Sequence, residues 1–370
     1  MKVFFPVGAF YPSQVGGPCN TLYWHTCTLN SIGVETKIVT TSLGINMRTV
    51  ELNKMSSSKC GLVFYGSSDS ISFTVLDQII SGIKSSDVIH LNSVFDVFSI
   101  VSLFYTKLFY PRKRIIWSPR GELNPIALGF SKYKKKILLI VYKRWTKGIV
   151  FHSTSEKETE EIREVLGDVK IIEIPNGLVP TKRMEMPLKN QFLYLGRIHR
   201  IKGIHKMIEG FSRSKRFMDT DFKLIIVGKH EDRHSDYYQE IQQLAKFMKI
   251  FHKIEFKGHI DGVEKETIYA ESYALALLSD TENFGNVVIE ALNHGTPIIA
   301  SKGTPWSILE EFNCGFHIDN SPEKIAEIVD MMIDLPQQDY LNMRKNAVVL
   351  LESKYNIYNQ LENWISIYKD

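Results

Sequence analysis

Four cysteines in 370 residues, no long apolar run and no low-complexity tract set the first limits on this chain. Cys19, Cys27, Cys60 and Cys314 form no Cys-x-x-Cys pair and have no histidine at zinc-site spacing. They read as ordinary buried thiols of a reducing compartment, not as a disulfide framework or a metal site. The nearest approach to a membrane span, ILLIVY at 137–142, is far short of the roughly twenty apolar residues a membrane helix needs. The opening MKVFFPVGAFYP has one lysine and a short apolar run stopped by Pro6, which reads as a first β-strand and not as a leader. Cytoplasmic residence is expected, with attachment to the inner face of a membrane left open.

Acidic residues are also scarce where the charge is concentrated. The formal net charge is +4. Residues 1–180 hold 21 Lys/Arg against 14 Asp/Glu, and the remainder 24 against 27. Between Lys107 and Lys147 the sole acid is Glu122. The segment KYKKKILLIVYKRWTK (132–147) reads in two ways: an interfacial helix suited to an anionic membrane, or a solvated helix with a buried apolar face. Nucleic acid is not expected, because no recognition module accompanies the cations.

What fills the chain is alternation. Strand-like runs KVFFPV, ETKIVTT, DVIHLN, RIIWS, GIVFHS and KIIEIP are separated mostly by ten to twenty residues of helical periodicity. The pattern restarts at QFLYLG and continues through KLIIVG, KIEFKG, YALALLS, TPIIAS and GFHID. This predicts βαβ units, mainly parallel sheets and an α/β class of two Rossmann-like, doubly wound domains. The length also calls for about two domains. Three prolines and a PNG turn place the linker at 175–190, giving domains at 1–178 and 186–354. The closing segment, about 355–370, is expected to be a helix that packs back on the first domain. Ligands of such sheets bind at strand carboxyl ends, so the two sets of loops are expected to face each other across a cleft.

Two clusters carry the chemistry. In LYLGRIHRIKG, Arg197 and Lys202 follow a strand end and suit a diphosphate, while Arg200 and Lys206 read as solvated helix charges. In SDTENFGNVVIEALNHGTPIIAS, Glu282 and Glu290 flank a Phe-Gly turn and the start of a helix near Asn286. Glu290 can accept from ribose hydroxyls; Glu282, with the amides of Phe284, Gly285 and Asn286, can hold a sugar and a phosphate. The loop GAFYPSQVGGPCNTL with Gly16-Gly17 reads equally as a phosphate-approach loop or as a tight turn. Hydroxyl-binding acids beside phosphate-binding cations point to a nucleotide-sugar.

LGRIHRIKG, ENFGNVVIE followed by ALNHGTPIIAS, and PNG together resemble the family 4 retaining glycosyltransferases, which have the GT-B fold. SPRGELNPIAL with its lysine-rich helix is similar to a subgroup acting in bacterial surface-polysaccharide synthesis (capsule, O-antigen or exopolysaccharide). The resemblance implies a catalytic set of Arg197, Lys202 and Glu282, with Glu290 on the donor ribose. Phe284, Gly285 and Asn286 would meet the donor sugar, and Gly17 and Thr304 would lie near the phosphates. It implies no cofactor and no metal, the nucleotide-sugar being a substrate, so Asp219-Thr220-Asp221 reads as a loop. The expected partners are a nucleotide-diphosphate sugar and a glycan or polyprenyl-linked acceptor. The chain departs from the family at Asn283, usually glycine, and at Trp306, often acidic. A family histidine is replaced within Trp117-Ser118-Pro119-Arg120; Arg120 is then the acceptor-side candidate, with His90 as a second. A GT-B epimerase and a catalytically silent sugar-nucleotide-binding subunit are the competing readings.

Overall fold

A computed structural model describes residues 1–13, 15–46, 49–129, 132–229 and 235–369 (132–134 and 235 by backbone alone). The chain divides into two compact units, Met1–Val179 with Ile357–Asp370, and Pro180–Asn356.

The first unit is built on a sheet of eight strands among the described residues. They are β1 (Lys2–Pro6), β2 (Glu35–Thr40), β3 (Met55–Ser58), β4 (Gly61–Tyr65), β5 (Val88–Asn92), β6 (Arg114–Ser118), β7 (Ile149–Ser153) and β8 (Lys170–Glu173). Their order is β3-β4-β2-β1-β5-β6-β7-β8, parallel except for the β3–β4 pair. β5 and β7 are buried along their whole length, as expected for parallel strands covered on both faces. β1 shows why: Val3 and Phe5 join one apolar layer and Phe4 the other. The β3–β4 hairpin, MSSSKCGLVFY, is absent from the sequence-based reading.

The second unit repeats the architecture with β9 (Gln191–Leu195), β10 (Lys223–Val227), β11 (Ile254–Gly258), β12 (Ala274–Leu277), β13 (Ile298–Ser301) and β14 (Gly315–Ile318). All pairs are parallel, in the order β11-β10-β9-β12-β13-β14. Phe192, Tyr194, Leu224 and Ile226 sit in the core on one face of this sheet. In both units the winding reverses beside the first strand, between β1 and β5 and between β9 and β12. At such a reversal the flanking helices lie on opposite faces, and the strand-end loops diverge to leave a crevice.

Three sequence-based expectations need correction. Cys27 and Cys60 form a disulfide instead of standing as separate thiols, because the β3–β4 turn brings Cys60 against the helix Gly17–Ser31; Cys19 and Cys314 are free and buried. Arg200 and Lys206 are not merely solvated: Arg200 pairs with Glu240 and lies over the Tyr237 ring, and Lys206 holds Asp280 at 2.6 Å. The closing helix begins at Leu361, after a π-turn at Leu351–Tyr355 and a 3₁₀ turn at Ile357–Gln360. Its Trp364, Ile367 and Tyr368 pack into the first unit's core, and Arg114 donates to the Ile367 carbonyl at 2.7 Å. No described helix is long and apolar enough to cross a membrane.

Candidate active site

The crevice of the second unit is formed by the loops that leave β9, β12 and β13. After β9 the chain turns through Gly196 and Arg197, and the buried Tyr194 hydroxyl donates to the Arg197 carbonyl at 2.7 Å. Burial, reinforced by the Glu282 charge, holds the Tyr194 phenol well above its usual range, so it stays a donor. His199 Nδ1 then accepts the Ile201 N–H at 3.2 Å and starts the short 3₁₀ turn Arg200–Lys202. Gly203 follows with φ +67°, and a Cβ there would collide with the Leu278 carbonyl oxygen. Glycine therefore allows the β9 loop to lie directly on the β12 loop.

Backbone bonds fix the three loops to one another. The Asp280 N–H donates to the Ile201 carbonyl at 2.8 Å, and the Glu282 N–H to the Gly303 carbonyl at 3.1 Å. This brings Lys202 and Glu282, eighty residues apart, into an ion pair, with the Ser279 hydroxyl 3.5 Å from the same carboxylate oxygen. Their side chains are only 14 % and 17 % exposed, so water screens them far less than a surface pair. Arg197 is exposed at the mouth of the same turn.

The Phe-Gly turn is held from behind by Trp306. Its indole is fully buried, donates to the Phe284 carbonyl and packs edge-on against the Phe284 ring at 5.1 Å. The residue that departs from the family pattern thus shapes the acidic loop. Gly285, at φ +84°, takes the N-cap of the helix Asn286–Asn293, which has no side-chain cap. A glycine cap leaves the helix N-terminus approachable by an anion. Thr304 is buried, and its hydroxyl donates to Ser301 C=O at 2.7 Å within the turn after β13.

Glu290 lies in the second turn of that helix. Its Oε2 accepts from Tyr269 Oη at 2.8 Å and from Lys265 Nζ at 2.7 Å, with the carboxylate 7 % exposed. Lys265 and Tyr269 share one face of the helix Gly262–Glu271 at i,i+4 spacing. Sequence reasoning passed over both, although that spacing was visible. Burial first, then the Glu290 charge, keeps the Tyr269 phenol well above its usual range. Asp219 ends a short helix and Asp221 accepts from Asn190 at 2.7 Å. Among the described residues no group of three His, Cys, Asp or Glu is placed to hold a metal.

Gly17, Arg120 and His90 belong to the first unit. Gly17 opens the helix Gly17–Ser31, whose N-cap Gly16 is extended and has no side-chain cap. His90 is fully buried inside a hydrogen-bonded chain whose direction can be derived. His152 Nε2 faces the Ile174 carbonyl at 2.8 Å, so that nitrogen carries the proton. Nδ1 of the neutral ring then accepts from Ser118 Oγ at 2.7 Å, and Ser118 accepts from His90 Nε2 at 2.8 Å. His90 Nδ1 accepts from Tyr368 Oη at 2.7 Å, and Tyr368 in turn accepts from His25 Nε2 at 2.8 Å. Burial lowers all three imidazoles below the usual range, His152 to about 3, with the Arg120 charge adding to the effect. His25, His152 and Tyr368 carry no sequence signal beyond being lone polar residues.

Arg120 follows β6 at φ +59°. Its Nε and Nη2 donate to Asn92 Oδ1 at 3.1 and 2.8 Å, and Nη1 donates to Asn176 Oδ1 at 3.1 Å.

Residues 183–348 match the sequence profile of the family described as "Glycosyl transferases group 1". A sucrose synthase of Melioribacter roseus is 29 % identical over 191 residues, covering 47 % of this chain and 24 % of that enzyme. An uncharacterized glycosyltransferase of Haemophilus influenzae is 26 % identical over 224 residues, covering 59 % of this chain and 60 % of its own. The matches thus span about a quarter to three fifths of these relatives. Among solved structures, the Anabaena protein Alr3699/HepE, crystallised with UDP and glucose, superposes with a TM-score of 0.77 at 16 % identity, covering 99 % of both chains. The chain has the GT-B fold, and its second unit is similar to glycosyltransferases of group 1.

Proposed function

We propose that this chain is a retaining glycosyltransferase that moves a sugar from a nucleotide-diphosphate donor to a glycan or lipid-linked acceptor in surface-polysaccharide synthesis. The observation that carries the proposal is the meeting of Lys202, Glu282 and the capless helix of Glu290 at the winding reversal of the unit that matches the group 1 profile.

In this reading Glu290, held by Lys265 and Tyr269, accepts from the ribose hydroxyls. Arg197, Lys202 and the helix N-terminus at Gly285–Asn286 take the diphosphate, with the Thr304 turn beside it. Glu282 orients Lys202 through their ion pair and holds a donor-sugar hydroxyl once phosphate takes the lysine. As the bond to the anomeric carbon breaks, negative charge grows on the diphosphate and positive charge on the sugar. Arg197 and Lys202 stabilise the former by charge-assisted bonds already in place. The acceptor hydroxyl attacks from the face the diphosphate leaves, and a phosphate oxygen takes its proton. That route retains configuration and requires neither a protein base nor a metal.

The helix Lys132–Trp145 supports an acceptor at an anionic membrane. Leu138 and Leu139 pack on the core, whereas Ile137 and Ile140 are 65 % and 49 % exposed beside Lys136, Lys143 and Arg144; the side chains of Lys132 and Lys134 lie outside those described. Glu122 is turned inward onto the backbone of Val94 and Phe95 at 2.7 and 3.0 Å.

A panel of nucleotide-sugars, followed by mass spectrometry for transfer or slow donor hydrolysis, tests the proposal. Turnover of at least one donor, lost in Glu290→Gln, is expected. Nucleotide binding with no turnover of any donor would favour a silent binding subunit, and no binding at all would refute the reading.

A further inference from the structure

Arg120 is a half-buried cation whose nearest carboxylate, Glu158, acts on it only at a distance. Among the described residues no carboxylate lies within ion-pair distance of its guanidinium, and its three hydrogen bonds all end on the neutral amide oxygens of Asn92 and Asn176. A guanidinium has five N–H donors, so two remain. The two nearby carboxylates are saturated elsewhere. Glu158, 2 % exposed, accepts from the Gly121 N–H at 2.7 Å and from both N–H and hydroxyl of Thr154 at 2.8 Å. Glu122 accepts from Ser93 Oγ at 2.6 Å and from the N–H groups of Val94 and Phe95. Behind the arginine stand three buried imidazoles, two of which, His90 and His152, accept hydrogen bonds at Nδ1 as neutral rings.

The backbone marks the same place. Arg120 and Ser93, at the ends of the paired strands β6 and β5, have φ of +59° and +72°. Non-glycine residues persist in this region only where the surroundings impose it, and such residues gather at ligand sites. Glu158 and Glu122 do the imposing here, by gripping the amides that follow each of these residues. The carboxylates thus hold the arginine's loop, and Glu158 acts on its charge only from a distance, without an ion-pair contact.

We infer that Arg120, presented by Asn92 and Asn176 at the carboxyl ends of β5 and β6, binds an anionic oxygen group, phosphate or carboxylate, carried by the acceptor. This rests on the glycosyltransferase reading above, with Arg120 on the acceptor side, but it can fail independently. The site would select acceptors that carry a charge near the reacting hydroxyl and would discriminate against neutral sugars.

Titration of the full chain, saturated with UDP to occupy the donor site, provides the test. Inorganic phosphate, farnesyl phosphate and glucuronate are the probes, read by calorimetry and by the NMR signal of the Arg120 Nε–H. At least one probe should bind and shift that signal. Farnesyl phosphate binding would identify a lipid-linked phosphate as the source, glucuronate binding an acidic sugar. Arg120→Gln should weaken binding about tenfold or more. Asn176→Asp is the decisive variant, because it places a carboxylate on the existing 3.1 Å contact and supplies the missing counter-ion from within. It should keep the fold and the UDP affinity and lose the anion. An Asn176→Asp protein that folds and binds the probe as wild type does would overturn the inference, as would failure of all three probes on a chain that binds UDP. Loss of UDP binding with the anion site intact would instead count against the donor-site reading.

Discussion

Acidification from pH 7 to pH 5.5 should loosen the first unit through His25, His90 and His152. An unfolded chain titrates each imidazole near pH 6.5. The folded chain resists, because protonating any of the three would put a second proton on a ring nitrogen that now accepts, or add charge near Arg120 in a buried site. The folded values lie below the unfolded one, so the unfolded state binds more protons. Stability is therefore full above about pH 6.5 and falls as pH drops. Between pH 7 and 5.5 each imidazole bound by the unfolded state alone costs about 1.2 kcal/mol. Three acting independently would cost up to about 4 kcal/mol, a large share of a typical total of roughly 5–15.

Native-state hydrogen exchange, resolved by mass spectrometry and corrected for the intrinsic pH dependence, reads this directly on peptides from β5, β6 and β7. Their opening free energy should fall by several kcal/mol over that interval. An unchanged value would mean that the imidazoles are not held neutral, and the derived direction of the chain would be wrong. Tyr368→Phe gives an independent check at constant pH. It leaves a ring nitrogen of His90 and one of His25 unpaired, each worth roughly 1–3 kcal/mol. It should also loosen the closing helix first, since Tyr368 and the Arg114 bond to the Ile367 carbonyl are that helix's polar ties to the sheet.

Lys202→Ala should lower sugar transfer by roughly 10²–10³ with a smaller effect on nucleotide affinity, as for the removal of one preorganised donor; near-normal turnover in an Arg197→Ala, Lys202→Ala double variant would refute the electrostatic account. Gly203→Ala should destabilise the second unit in urea by more than about 1 kcal/mol, because the new methyl meets Leu278 C=O and φ is +67°; an unchanged midpoint would show that the loop contact is soft. Ile137→Asp with Ile140→Asp should reduce sedimentation with phosphatidylserine vesicles and leave donor hydrolysis intact; equal binding by wild type and variant would remove the membrane role.

Twelve of the strands were legible as short apolar or β-branched runs bounded by turn residues, most plainly LIIV and IIA, which are buried along their length as parallel strands covered on both faces must be. β3 and β4 were not: MSSS has no alternation to detect and exists only as an edge hydrogen-bonded to β4, and GLVFY was passed over with it. The same hairpin explains the cysteines. Thirty-three positions separate Cys27 from Cys60, and only the turn after β3 returns the chain to the helix that carries Cys27. Pairing was invisible for want of the strand.

The candidate site divides along a similar line. Glu282, Glu290, Arg197 and Lys202 sit in motifs whose glycines and apolar runs mark strand ends, so their place at the carboxyl edge followed from the pattern. Their partners did not. Lys265 and Tyr269 lie on a helix rich in charge, where an i,i+4 pair looks the same whether it faces water or a buried carboxylate. The direction they face is set by the packing of that helix on Asn286–Asn293, which is a tertiary fact. The histidine chain is the extreme case: its imidazoles and hydroxyls come from positions 25, 90, 118, 152 and 368, five elements with no local relation. Each residue alone reads as a stray polar group in an apolar element. Only the sheet order, which sets β5, β6 and β7 side by side under the closing helix, makes them one network. Motifs thus report where a backbone must turn or approach a ligand, while the residues that tune charge and orientation are chosen by neighbours distant in sequence. That is why Arg120 could be named from its loop, yet its lack of an ion-pair contact emerged only from the bonds that Glu122 and Glu158 make elsewhere.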